Sequence, residues 1–222
     1  MLNNANRHTL EQTEGNEMAQ PLTDIIFDCC GVLVDCNPRL TLEGMYPPGV
    51  VDMFFDPEDE WGFDYFNAMT DIGWSQERVL AQYALHHGPA VAWIHRLYFE
   101  RHKLAFAGMI PGMAELLKEL HNSGITLWGL TNFTTSYLQE AMELYPELHM
   151  LQDIVVSSEE GVRKPDALIY QRAIGRFGVN PSTTAFVDDN QRNVQAAERQ
   201  GLMGIHFTDA VQLRSTLEWL IG

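Results

Sequence analysis

The chain has 222 residues, of which 45% are hydrophobic, so it can form one full-sized hydrophobic core, alone or with a smaller inserted domain. Its 30 acidic and 14 basic side chains give a formal net charge of −16, which disfavours binding to nucleic acid or to an anionic membrane. Its three cysteines, Cys29, Cys30 and Cys36, lie in one short segment, so they cannot cross-link distant parts of a fold as a secreted disulfide framework does.

The first 20 residues are polar and lack the apolar stretch of a signal peptide. No later apolar run is long enough to span a bilayer without including charged residues. We therefore expect residues 1–20 to form a disordered leader. We also expect the protein to be soluble and cytoplasmic, with no membrane or nucleic-acid partner.

Short apolar runs, each followed by a turn and an amphipathic segment, predict buried strands. In chain order these runs are 24–27, 126–130, 154–156, 184–187 and 203–207. Such alternation is typical of a parallel sheet that is covered by helices on both faces. The predicted fold class is therefore α/β.

Proline and glycine mark the ends of two predicted helices, because helices favour proline in the first turn and glycine just after the last. Pro111 and Gly124 bound one of these segments, and Pro165 and Gly178 bound the other. Similar apolar spacing occurs in three further segments, 134–144, 191–200 and 209–220. These helices complete the alternation with the strands.

The interval from about residue 37 to about residue 108 interrupts this alternation, because it contains no clear buried strand. It is rich in Trp, Tyr and Phe, and its stretches near 75–86 and 89–106 have helical spacing. Its first part contains three prolines and an acidic cluster, which predict a loop with short turns.

We therefore predict a helical insertion over residues 38–107, called the cap segment below. Residues 21–37 and 108–222 would then form the core domain.

Polar side chains follow several predicted strands, at the edge where open parallel sheets bind ligands. Asp28 follows the first strand, Thr131 and Asn132 follow the second, and Asp188 and Asp189 follow the fourth. Each of them alone has an ordinary explanation, such as a helix cap or a turn. Together they converge on one rim of the sheet, which favours a functional site.

Lys164, in the segment VRKPD, would add a cation to this rim, although a lone lysine beside a proline is usually a solvated surface residue. Asp28 and Asp188 would hold Mg²⁺ through carboxylate oxygens, with water and a substrate phosphate as further ligands. The hydroxyl of Thr131 and nearby backbone N–H groups would bind phosphoryl oxygens. These residues indicate a nucleophile, a metal, a cation and hydrogen-bond donors in one site.

The segments FDCCGVLVD, GLTNFT, GVRKPD and FVDDNQRN resemble, in this order, the four motifs of the haloacid dehalogenase superfamily of hydrolases. The resemblance covers most of residues 24–207. It implies a Rossmann-like core with a helical cap inserted after the first motif, in agreement with the predicted cap segment. It also implies Mg²⁺-dependent hydrolysis of a small phosphorylated metabolite through an aspartyl-phosphate.

The resemblance further implies a role for each motif residue. Asp28 would attack phosphorus and ligate the metal, while Lys164 would steady the charges. Asp188, supported by Asp189, and the backbone carbonyl of Cys30 would be further metal ligands.

Substrate contacts are predicted for Thr131 and Asn132 in the second motif, and for Asp71 in the cap segment. The stretch FNAMTDIGWS around Asp71 resembles a cap segment of the family, so Asp71 would reach the pocket and meet a sugar hydroxyl. A simple turn before the helix at 75–86 explains Asp71 equally well.

Cys30 departs from the family pattern, because typical phosphatases have a second aspartate there that serves as general acid and base. A thiol with an unperturbed pKa of ~8.5 is poorly suited to this task. The stretch DCCGVLVDCNPR is nevertheless similar to a branch that acts on glucose 1-phosphate and has a small residue at that position. Sugar phosphates are therefore the predicted substrates.

Two alternatives remain open. The 2-haloacid dehalogenases use the same attacking aspartate on carbon and lack the second acid, but they typically have serine and asparagine at the positions of Asp188 and Asp189. An acidic pair without a metal would make the pocket too negative for an anionic substrate, so we favour the phosphatase. A catalytically weak phospholigand-binding protein would also account for Cys30.

Overall fold

The computed structural model describes residues 21–221, and the side chains of residues 21–220. The predicted leader, residues 1–20, lies outside the described residues. Within that part of the chain, we find no helix that combines the length and the apolar composition needed to cross a membrane.

Five parallel strands form the central sheet, and two short antiparallel strands form a separate pair. The strands are β1 (Asp24–Phe27), β2 (Val34–Cys36), β3 (Phe106–Met109), β4 (Thr126–Thr131), β5 (Ile154–Val156), β6 (Thr184–Asp188) and β7 (Met203–His206). The central sheet has the order β5-β4-β1-β6-β7, so β1 lies in its middle. All five predicted buried strands are present, and their ends differ from the prediction by at most one residue.

Helices cover this sheet and fill the interval between β2 and β3. They are α1 (Pro48–Phe54), α2 (Phe63–Thr70), α3 (Gln76–Glu100), α4 (Met113–Asn122), α5 (Thr135–Leu144), α6 (Ser157–Glu160), α7 (Ala167–Phe177), α8 (Gln191–Glu198) and α9 (Ala210–Ile221). The five predicted core helices correspond to α4, α5, α7, α8 and α9.

Apolar side chains on both faces of β1 are buried against helices. Ile25 and Phe27 belong to one apolar cluster, together with residues of α4 and α9, whereas Ile26 belongs to a second cluster with residues of α7 and α8. Successive strand residues point to opposite faces of a sheet, so helices must pack on both of its sides. Each fully buried side chain of this kind stabilises the fold by about 1.5–3 kcal/mol. The predicted α/β class with a Rossmann-like core is confirmed.

Within the cap segment, two predictions are wrong. The proline-rich part predicted as loop contains α1 and α2, because a proline such as Pro48 is well accommodated at the first position of a helix. The predicted helix over 89–106 ends earlier, at Glu100, and residues from Phe106 onward form β3. This strand pairs with β2, so the interval does contain a strand at its end.

Aromatic side chains hold α1, α2 and α3 together. Phe54, Phe63 and Tyr83 surround the imidazole ring of His95, at centroid distances of 5.5, 6.0 and 4.7 Å. Burial lowers the pKa of His95 to about 3, so this ring is neutral in the folded protein. The predicted boundaries of the cap segment stay a prediction.

Candidate active site

The carboxyl ends of three adjacent strands bring the predicted core residues together. Asp28 directly follows β1, Thr131 is the last residue of β4, and Asp188 is the last residue of β6. Because β1 is hydrogen-bonded to both β4 and β6 in parallel register, these side chains emerge at one edge of the sheet.

Lys164 joins two of these carboxylates. Its Nζ atom lies 2.7 Å from Oδ1 of Asp28 and 2.8 Å from Oδ2 of Asp188, and it also donates to the carbonyl of Leu130 at 2.9 Å. The side chain of Lys164 is only 1% exposed. Its three donors are therefore all used, as a buried ammonium group requires.

The charges of this cluster depend on burial and on one another. Burial raises the pKa of Asp28 to about 7, and the nearby Asp188 carboxylate adds to this rise, whereas Lys164 opposes it. Burial alone would lower the pKa of Lys164, but the carboxylates of Asp28 and Asp188 raise it above its ordinary value. Lys164 is therefore a permanent cation beside the predicted nucleophile.

Asp188 is completely buried and is held in place by the beginning of α8. Its carboxylate accepts hydrogen bonds from the side-chain amide of Asn193, at 3.0 and 3.1 Å, and from the backbone N–H of Asn190, at 2.8 Å. These donors belong to the segment FVDDNQRN, so the local sequence orients its own carboxylate.

A cluster of three carboxylates at this edge matches the preferences of a hard divalent cation. One oxygen from each of Asp28, Asp188 and Asp189 lies within 4.8 Å of the others. The carbonyl of Cys30, a further predicted ligand, accepts no backbone hydrogen bond within the described residues. Oxygen donors of this kind and number fit Mg²⁺.

Gly31 leaves the space that Asp189 needs. A Cβ atom at position 31 would lie 2.8 Å from Cγ of Asp189, and Gly31 has a φ of +86°. A side chain there would meet both a steric and a conformational penalty. The glycine in the first motif therefore permits the close approach of the first and fourth motifs.

Thr131 has a free hydroxyl group. The residue is 1% exposed, and its Oγ1 atom has no hydrogen-bond partner in the part of the chain that the structure describes. Buried hydroxyl groups are normally paired, so this one is available to a ligand at the edge of the sheet.

The other two predicted substrate contacts have partners within the protein. The side chain of Asn132 donates to the carbonyl of Lys164 at 3.0 Å and accepts from its backbone N–H at 2.8 Å, which fixes the main chain of the lysine. Asp71 accepts a hydrogen bond at 3.0 Å from Arg163, the residue before Lys164. Arg163 was not among the predicted site residues, although its position beside Lys164 was a usable signal.

Cys30 and Cys36 form a disulfide bond, which was not predicted from the sequence. The two residues are six positions apart, and a tight turn between β1 and β2 brings them together. Cys29 is free and buried among apolar side chains. Disulfides are rare in cytosolic proteins, so the cytoplasmic location stays a prediction.

A cavity of about 230 Å³ adjoins the sheet edge. Cys30 and Asn132, which follow β1 and β4, line it on one side. Asp71 and Tyr98 line it on the side of α2 and α3. A small enclosed space therefore lies between the edge of the sheet and the cap segment.

The fold and this site together define a Rossmann-like α/β protein in which an aspartate follows the first strand. Residues 25–201 match the haloacid dehalogenase-like hydrolases, and the chain belongs to this family. The membership confirms the resemblance drawn from the four motifs.

Two proteins that are named as phosphatases are similar in sequence. A sesquiterpene phosphatase of Aspergillus oryzae is 33% identical over 110 residues, which are 50% of this chain and 56% of the relative. A phosphoglycolate phosphatase of Synechococcus elongatus is 26% identical over 204 residues, which are 89% of this chain and 91% of the relative. The chain thus spans little more than half the length of the fungal relative.

Solved structures agree in fold. A predicted hydrolase of the haloacid dehalogenase-like (HAD-like) family from Porphyromonas gingivalis has a TM-score of 0.66 at 20% identity, over 89% of this chain and 98% of that chain. A HAD-family enzyme from Bacteroides thetaiotaomicron, in a complex with magnesium and inorganic phosphate, has a TM-score of 0.65 at 15% identity. The match covers 85% of this chain and 95% of that chain.

Proposed function

We propose that this protein hydrolyses small phosphate monoesters with the aid of Mg²⁺, through an aspartyl-phosphate on Asp28. The observation that carries the proposal is the cluster at the sheet edge, where Lys164 bridges Asp28 and Asp188 with Asp189 close by. The names of the two sequence relatives, both phosphatases, support the same class of reaction.

In the first step, a carboxylate oxygen of Asp28 attacks phosphorus and the alcohol leaves. Oδ1 of Asp28 is held by Lys164 and by the backbone N–H of Cys29, each at 2.7 Å, which leaves the other oxygen, Oδ2, to attack. A cation bound by Asp28, Asp188 and Asp189 would offset the repulsion between these carboxylates and the phosphate dianion.

Thr131 and Lys164 would serve the phosphoryl group. The unpaired hydroxyl of Thr131 would donate to a phosphoryl oxygen, and the charge of Lys164 would stabilise the negative charge that gathers around Asp28. Both groups are buried, so their positions need little reorganisation during the reaction.

The cavity supports a small substrate. Its volume of about 230 Å³ is below the range of roughly 300–1,000 Å³ that is usual for pockets of drug-sized ligands. Sugar phosphates with few carbon atoms are of suitable size, and we retain them as the proposed substrate class.

A phosphate-release assay tests this proposal. Wild-type protein with Mg²⁺ should release inorganic phosphate from at least one member of a panel of sugar phosphates and other monoesters. Asp28→Asn and a chelator should each abolish release, whereas Asp64→Asn, the same change at an exposed position on α2, should not. Release that survives Asp28→Asn would refute the proposed nucleophile.

The same assay separates the alternatives. Halide release from 2-haloacids that resists a chelator, without phosphate release, would favour a dehalogenase. Stabilisation by a sugar phosphate and Mg²⁺ without any turnover would favour a phospholigand-binding protein.

A further inference from the structure

A proton source for the leaving group is a separate requirement of the proposed reaction. When the P–O bond breaks, its electron pair goes to the ester oxygen, and an alkoxide leaves slowly unless it is protonated. General acid catalysis of this step typically accelerates a reaction about 10²–10⁴-fold. We place the leaving group in the cavity between the sheet edge and the cap segment, because Cys30 and Asn132, which are close to Asp28 and Thr131 in the chain, line it.

Most of the cavity wall has no proton to give near neutral pH. Cys30 lacks a thiol proton, since its sulfur is bonded to Cys36. Burial raises the pKa of both Tyr98 and Tyr137 well above the usual value, so these phenols are poor acids. Burial lowers the pKa of His102 to about 3, so its ring carries no proton to donate as an imidazolium.

Asp71 differs from these residues. It is 7% exposed, lies at the end of α2 and faces the cavity from the cap segment. Burial raises the pKa of Asp71 to about 6, although Arg163 and then Lys164 oppose the rise. Among the described residues that line the cavity, Asp71 is the only one with a carboxyl group. This group changes its protonation state close to neutral pH.

We propose that Asp71 is the general acid that protonates the departing oxygen of the substrate. This inference rests on the proposed function. As an oxygen of Asp28 bonds to phosphorus, the bond from phosphorus to the ester oxygen breaks, and the proton of the Asp71 carboxyl group passes to that oxygen. The alcohol leaves, and Asp71 recovers a proton from the water that later hydrolyses the aspartyl-phosphate.

Burial has the largest effect on the pKa of Asp71, and Arg163 lowers this pKa through their contact at 3.0 Å. Within the described residues, four other charged or titratable groups lie near Asp71. They are Lys164, which directly follows Arg163 in the chain, Tyr98 on α3, Tyr137 on α5 and His102 across the cavity. Because both nearby cations favour the carboxylate, removing Arg163 should raise the pKa of Asp71.

Two esters of similar size test the assignment. Benzyl phosphate releases a weakly acidic alcohol that needs a proton, whereas 4-nitrophenyl phosphate releases an acidic phenol that does not. Asp71→Asn should lower kcat/KM for benzyl phosphate by about 10²-fold or more, but for 4-nitrophenyl phosphate only a few-fold. The ratio kcat/KM is the appropriate measure, because it excludes the later hydrolysis of the aspartyl-phosphate.

An equal loss for both esters would overturn the proposal, because it would indicate a structural or a binding role. Turnover of 4-nitrophenyl phosphate that depends on Asp28 would still support the proposed function in that case. If the wild-type protein released phosphate from no ester at all, both the assignment of Asp71 and the proposed function would be overturned.

The pH profile provides a second test that does not depend on the folding of Asp71→Asn. For benzyl phosphate, kcat/KM should decline as the pH rises and Asp71 loses its proton, and Arg163→Gln should move this decline to higher pH. Phosphate esters also ionise near pH ~6, so the difference between the two proteins is the readout. An unchanged profile in Arg163→Gln would overturn the assignment.

Discussion

The ammonium group of Lys164 lies between two buried carboxylates, 2.7 Å from Asp28 and 2.8 Å from Asp188. This arrangement joins the loop before α7 to the ends of β1 and β6. Among the described residues, no other cation lies at ion-pair distance from either carboxylate. Lys164 therefore stabilises the fold as well as serving the proposed chemistry.

Replacing Lys164 with methionine should strongly destabilise the protein. The change leaves two carboxylates buried without their cation, and removal of one partner from a buried ion pair typically costs about 3–5 kcal/mol. Urea denaturation at neutral pH measures the free energy of unfolding. Lys103→Met, which removes an exposed ion pair with Glu143, should cost less than about 1 kcal/mol. Similar losses in the two variants would contradict the prediction.

Gly31→Ala should weaken Mg²⁺ binding. The new methyl group would press on the carboxylate of Asp189, and the φ of +86° would add backbone strain. Gly44→Ala is a matched control, since Gly44 has a φ of +78° but no atom within 4 Å of the new methyl group. Both variants should lose about 1 kcal/mol of stability from strain.

Calorimetric titration with Mg²⁺ distinguishes the two glycine variants. We expect a higher dissociation constant for Gly31→Ala and an unchanged one for Gly44→Ala. Equal affinities would show that the contact with Asp189 does not matter for the metal.

His95 should make the protein less stable in mild acid. Burial lowers the pKa of His95 to about 3, whereas the unfolded chain titrates near ~6.5. Between these values the unfolded state binds a proton that the folded state does not, so the free energy of unfolding falls as the pH decreases. The expected loss by pH 5 is about 2 kcal/mol.

Urea denaturation of His95→Phe at pH 7.5 and pH ~5 tests this prediction. A phenylalanine fits the aromatic surroundings and cannot bind a proton, so the variant should be less sensitive to pH than the wild type by about 2 kcal/mol. His121→Phe, at an exposed position on α4, should keep the wild-type sensitivity. A wild-type pH dependence in His95→Phe would disprove the role of this ring.

Cys36→Ser should destabilise the loop that follows Asp28. The disulfide with Cys30 closes a loop with a sequence separation of six, and loop-closure entropy predicts a loss of about 2 kcal/mol when it is removed. Denaturation with and without a reductant provides the measurement. The reductant should destabilise the wild type but have no further effect on Cys36→Ser, and a wild type that is insensitive to reduction would contradict the prediction.

Much of the core could be predicted because its signals are local. The short apolar runs of β1, β4 and β6 are buried on both faces, so their composition alone marks them as strands of a parallel sheet. Parallel strands also end at the same edge, so the positions of Asp28, Thr131 and Asp188 were implied once the strands were recognised.

The cap segment was predicted less well, because its signals are ambiguous. Proline both breaks helices and begins them, so Pro47 and Pro48 did not reveal α1. The pairing of β2 with β3 joins residues about seventy positions apart, and its short strands have no distinctive pattern.

The sequence by itself determined which strands form the sheet and which polar residues meet at its edge, because strand burial and strand direction follow from local composition. Only the tertiary structure decided that Asp71 faces the cavity beside Arg163, and that Cys30 pairs with Cys36. These contacts depend on how helices and turns lie over the sheet. That arrangement results from many packing contacts between distant residues, and no local pattern encodes it.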